Sequence, residues 1–109
     1  MGIDFADKKF SAVAEKLFTS PYPYSLQEKL TEVLIGTHML GPDDMPPHLW
    51  KVFNKLKQKL SIEEDAARGS FDAIPQSLTD REAADYIRQF ADLYGKIENE
   101  YRMQYSSKR

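Results

Sequence analysis

Residues 78–105 read LTDREAADYIRQFADLYGKIENEYRMQY, and this stretch decides the fold. It opens with Thr79 three residues ahead of Glu82, the spacing of a capping box. There the hydroxyl accepts from the Glu82 N–H and the carboxylate reaches back to the cap's own N–H. Leu78 and Ala83 stand where a hydrophobic staple would fix the entry of the chain. Beyond them Ala83, Ile87, Phe90, Tyr94, Ile97, Tyr101 and Tyr105 recur at intervals of 4, 3, 4, 3, 4 and 4, close to a heptad seam. Arg88 and Asp92, Asp92 and Lys96, Lys96 and Glu100, and Glu98 and Arg102 are each four apart, which marks a solvent-facing side. The pattern predicts one long helix over 80–105.

Working back along the chain, the same grammar predicts shorter helices. Phe10, Val13, Ala14, Leu17 and Phe18 share one face of a helix over about 4–18, ended by Thr19-Ser20-Pro21 because the residue before proline is pushed out of the α region. Pro21-Tyr22-Pro23-Tyr24 is an extended connector whose tyrosines are expected to fold back on the core. Ser25 with Glu28 is a second capping box, opening a helix over about 26–40 with the stripe Leu26, Leu30, Val33, Leu34 and Thr37. Gly41-Pro42 is read as its stop, the glycine taking a left-handed conformation. Asp43 or Asp44 is expected to cap a third helix over about 46–60, with Pro46 and Pro47 in its first turn and Leu49, Val52, Phe53, Leu56 and Leu60 as its buried stripe. Ser61 with Glu64 predicts a short helix over about 62–68 that stops at Gly69, followed by a loop in which Phe71 and Ile74 anchor to the core. The expectation is a single all-α domain over 1–109, a small bundle of four to five helices with a long C-terminal one.

Composition bounds what such a bundle does. Hydrophobic residues make up 41% and charged residues 29% of 109, which suits a globular helical protein and leaves no apolar run of about 20 residues for a membrane span. A net charge of −2 offers no global field to gather nucleic acid or anionic lipid. Cysteine is absent, which removes thiolate chemistry and thiolate metal sites. The first ten residues carry acids and no apolar signal core, and a cytoplasmic location is expected.

Catalytic and cofactor motifs are not recognisable, and neither a cofactor nor a metal is expected. His38 and His48 lie ten apart without an HExxH or similar spacing, so surface or capping roles outweigh ligation. Asp43-Asp44 and Glu63-Glu64-Asp65 fall at expected helix N-termini, where the macrodipole already stabilises acids. The third helix is locally basic: Lys51, Lys55, Lys57 and Lys59 arrive with no acid between Asp44 and Glu63. His48, Lys51, Lys55 and Lys59 form a candidate patch for an acidic partner protein or, as an alternative, for nucleic acid. Against the latter, the helix has no arginine and shows no turn-plus-recognition-helix pattern.

The long helix is also expected to outrun its neighbours. Helices of about 15 residues reach about 22 Å, whereas 80–105 would extend about 39 Å. Tyr94, Ile97, Tyr101 and Tyr105 are therefore expected to need cover from the N-terminal residues Ile3 and Phe5, from the short helix after Ser61, or from a second chain. The last option makes them a candidate interface for a homodimer or a docked partner.

The order Tyr24-Ser25-Leu26-Gln27-Glu28-Lys29-Leu30, Pro47-His48-Leu49, Gly69-Ser70-Phe71-Asp72-Ala73-Ile74, Leu78-Thr79-Asp80-Arg81-Glu82-Ala83-Ala84 and Leu93-Tyr94 resembles small bacterial all-helical proteins of about this length and no known activity. The resemblance implies an all-α fold and a bacterial or phage origin, and no site residues. The expected role is a non-enzymatic interaction or regulatory module, self-associating through its C-terminal helix. The alternatives are a nucleic-acid-associated regulator and a small-ligand binder or enzyme.

Overall fold

The computed structural model describes residues 2–21, 23–60 and 77–106. They form four α-helices and one 3-10 turn, and no strand occurs among them. Helix α1 is Ile3–Thr19, α2 is Leu26–Thr37, the 3-10 turn is Pro42–Asp44, α3 is Pro47–Leu60 and α4 is Asp80–Ser106. The expected short helix at 62–68, its Ser61–Glu64 cap and the anchors Phe71 and Ile74 lie outside the described residues.

Two helix starts form as their side chains dictate. Ser25 Oγ accepts from the Glu28 N–H at 3.1 Å while Glu28 Oε1 accepts from the Ser25 N–H at 2.8 Å. Thr79 and Glu82 repeat the exchange at 3.1 and 2.9 Å. Two orphan backbone donors are thereby satisfied at each start. Gln27 Nε2 donates to the Leu78 carbonyl and to Asp80 Oδ1, both at 2.9 Å, so the starts of α2 and α4 are tied side by side.

The loop between α2 and α3 departs from expectation. Helix α2 ends at Thr37, and Gly41 is extended at φ −123°, so it is not a left-handed stop. Asp44 does not cap α3. Its Oδ2 accepts from the Gly41 N–H at 2.8 Å, and its Oδ1 accepts from the Gly2 N–H at 3.2 Å, 42 residues away. The first turn of α3 instead closes on the Pro46 carbonyl, which accepts from the N–H groups of Leu49 and Trp50 at 3.0 and 2.9 Å. Gly2 is the one described residue with a positive φ, 125°, a conformation that costs glycine nothing and brings its N–H to Asp44.

Helix α1 lies antiparallel along α4. Phe10 stacks on Tyr94 with ring centroids 5.8 Å apart and planes 12° from parallel, and Ser11 Oγ lies 2.7 Å from Tyr94 Oη. Asp7 is placed beside Glu98 and Arg102, and Leu17 and Ile87 line one groove at the other end. Helix α2 packs on α1 through Gly36, where an added Cβ would overlap Val13 Cγ2, and the pairing continues at Lys16 and Glu32, 2.6 Å apart. Phe53 of α3 meets Phe10 edge-on at 6.1 Å and carries Trp50 at 5.7 Å. These contacts belong to one hydrophobic cluster drawn from all four helices, with Phe53, Leu30, Leu60, Leu93 and Ile97 among its most enclosed side chains. Each such burial is worth about 1.5–3 kcal/mol.

Two large apolar residues of the expected stripes are outside the core. Phe18 is 90% exposed and Val52 is 43% exposed. Both match the helical repeat of their neighbours, but a repeat fixes a direction and not how far the next helix extends. Helix α3 packs chiefly on α4 and the 3-10 turn, so it buries the narrow stripe Leu49, Phe53, Leu56 and Leu60 and leaves Val52 on the flank.

Candidate functional site

The residues expected to form an interface on α4 divide. Ile97 is 0% exposed and part of the core, covered by its own chain. Of the covers expected for it, one from its own chain is in place, which removes Ile97 from the candidate interface, and the reason is the direction of α1. Lying antiparallel to α4, its seventeen residues bring Asp4 to the level of Tyr101. Tyr94 is half-buried, with its ring on Phe10 and its hydroxyl bonded to Ser11. Tyr101 is half-buried on the rim of a depression it shares with Asp4, Asp7, Lys8 and Ser11. The Tyr105 side chain lies outside the described residues.

The outward side of α4 is electrically self-contained. Arg88 pairs with Asp85 at 3.4 Å, in place of the expected Asp92, while Asp92 pairs with Lys96 at 3.3 Å and Glu98 with Arg102 at 3.5 Å. All six side chains are exposed, so the pairs add little stability.

The outer side of α3 is built differently. At 100° per residue, His48, Lys51, Val52, Lys55 and Lys59 fall on one face, and every one of them is exposed. The row runs about 16 Å, three turns of helix. No carboxylate among the described residues pairs with Lys51, Lys55 or Lys59. Lys57 points elsewhere: it is half-buried and donates to the His38 carbonyl at 3.0 Å, fastening α3 to the end of α2. Val52 lies midway along the row but at its edge, next to the buried stripe. The sequence shows the lysines and places Val52 in the buried stripe, because in register it stands on the boundary between Lys59 and Leu56.

The two histidines stay apart in role. His38 is the C-cap of α2, with Nδ1 2.7 Å from the Ile35 carbonyl, and His48 is exposed in the first turn of α3. Among the described residues no cluster of three or more histidines and acids could hold a metal ion, and no helix is long and apolar enough to cross a membrane. No family model, curated protein or solved structure matches the chain.

Proposed function

We propose that the protein is a non-enzymatic helical interaction module whose recognition surface is the outer face of α3. The observation that carries this reading is the exposed Val52 beside His48, Lys51, Lys55 and Lys59, with no carboxylate among the described residues paired to these lysines. An isolated exposed valine is ordinary, and so is an isolated surface lysine. An exposed apolar residue bordering a cationic row three turns long offers a partner apolar surface and charge side by side, as docking sites do. The C-terminal helix is a weaker candidate than the sequence suggests, because Ile97 and Tyr94 already serve the fold.

A photo-crosslinking residue placed at Val52 in the native host tests the reading. Adducts with a discrete protein are expected there and not from the same residue placed at Asp92, on the self-paired side of α4. Equal labelling from both positions, or none from Val52, would refute it.

A further inference from the structure

We infer that the α3 face docks an acidic amphipathic segment of a partner protein, which sets an apolar side chain against Val52 and carboxylates against Lys51, Lys55 and Lys59. The inference rests on the proposed role of that face and adds the chemistry of what binds there.

Charge supplies the first argument. Four of the 15 basic residues and none of the 17 acids lie in α3, so the net −2 of the chain divides into +4 on this helix and −6 on the remainder. A long polyanion that followed the lysines beyond α3 would meet a surface of its own sign. A short acidic segment confined to three turns of helix would not. Screening at physiological salt reinforces this, since charges farther than about 8 Å are largely damped and only those in direct apposition to the lysines count.

Side-chain type supplies the second. Phosphodiester backbones reward charge and planar forks, and this helix has no arginine with which to grip them. Nor has a phosphate any use for Val52, whose contribution would come from removing apolar surface from water. A protein helix offers both groups at once, with a leucine-sized residue at the centre and acids three or four positions to either side, which is how amphipathic helices enter shallow grooves.

The arrangement of Lys57 supplies the third. One lysine of four is bound to the His38 carbonyl and anchors the helix, and the other three are exposed on its outer face. The face they occupy is thus fixed by the fold, since α3 cannot rotate without breaking that tie and withdrawing Phe53 from Phe10.

Fluorescence anisotropy with the full chain tests the inference, using labelled peptides about four turns long. One carries a central leucine flanked by glutamates, one replaces that leucine by serine, and a third probe is single-stranded DNA of matching charge. The acidic leucine peptide is expected to bind saturably, with at least about tenfold losses for the serine peptide and for Lys55→Glu. Val52→Ser should weaken the leucine peptide and leave the serine peptide unchanged, and it should not alter the circular dichroism of a side chain that is already exposed. Tighter binding of DNA, falling steeply with salt, would overturn the inference in favour of phosphate recognition. Equal binding of both peptides would remove Val52 from it. A dimer in light scattering that Lys55→Glu abolishes would make a second copy the occupant and overturn it too. If the leucine peptide fails to bind up to about 1 mM while crosslinking at Val52 still captures a discrete protein, the acidic partner is wrong and the interaction face stands. Failure of both removes both.

Discussion

The hydroxyls of Ser11 and Tyr94 lie 2.7 Å apart across the antiparallel contact of α1 and α4, 83 residues distant in the chain. The same tyrosine stacks on Phe10, which in turn meets Phe53 of α3, so a residue with the spacing of an external seam joins three helices internally. The first prediction concerns the half of α4 beyond it. Ile97→Ala should lose about 2–5 kcal/mol in urea unfolding, as an enclosed side chain does. Met103→Ala, 58% exposed on the same helix, should stay within about 0.5 kcal/mol. Tyr94→Phe should lose about 0.5–1.5 kcal/mol, the net worth of one hydrogen bond. Similar values at Ile97 and Met103 would contradict the cover of α4 by α1.

Gly36 and Gly95 should respond to alanine in opposite senses. A Cβ at Gly36 overlaps Val13 Cγ2, and Val13 is buried with a stiff β-branched side chain, so α1 and α2 must separate. Gly36→Ala gains about 1 kcal/mol of helix propensity and loses about 1–3 kcal/mol to overpacking, so the overlap wins. Val13→Ala should restore part of the loss, and a double-mutant cycle reads that coupling. At Gly95 nothing lies within 4 Å of the added Cβ, and the position is exposed inside α4. Gly95→Ala should therefore raise stability by about 0.5–1 kcal/mol in thermal unfolding.

What the chain reveals before folding is local, and what it conceals is the meeting of distant parts. The Ser25–Glu28 and Thr79–Glu82 boxes are complete within four residues, and both form as expected. The all-helical class follows from 3.6-residue periodicity in the same way. Asp44 was placed in the right loop and given the wrong partner, because its second acceptor waits for Gly2 at the far end of α1. Phe18 and Val52 fit their helical stripes, yet whether a stripe is covered depends on the length and register of another helix. For the same reason the lysines of α3 are legible and the exposure of the valine beside them is not.

Asp44 should make stability fall in acid. Burial alone would raise its carboxyl above the ordinary 3.8, but the N–H groups of Gly41 and Gly2 favour the charged form and hold it lower. A depressed pKa in the folded state means the unfolded chain binds the proton more readily. The stabilisation is then full above the unfolded value and is lost as pH drops through the folded one. Asp44→Ala should lose about 1–3 kcal/mol at pH 7, since two backbone donors are left without their acceptor, and progressively less toward pH 2. A loss independent of pH would show that packing, not the carboxylate, is what Asp44 supplies.

Asp7 should show the reverse sign. Its Oδ1 is buried without a hydrogen-bond partner, and burial first, then repulsion from Glu98, raises its carboxyl above 3.8 despite the attraction of Arg102. Here the folded state holds the proton more tightly than the unfolded chain. Stability is therefore greatest below the unfolded value, falls as pH rises through the raised folded one, and stays lower beyond it. Asp7→Asn keeps the shape and removes the charge, so it should raise stability at pH 7 and converge with the parent in acid. The gain should be no more than about 1 kcal/mol, because the rest of the side chain is in reach of water and screened by it. Urea unfolding of the parent and the variant between pH 3 and pH 7 separates the two carboxylates. A loss on Asp7→Asn at pH 7 would mean that attraction to Arg102 outweighs both burial and Glu98.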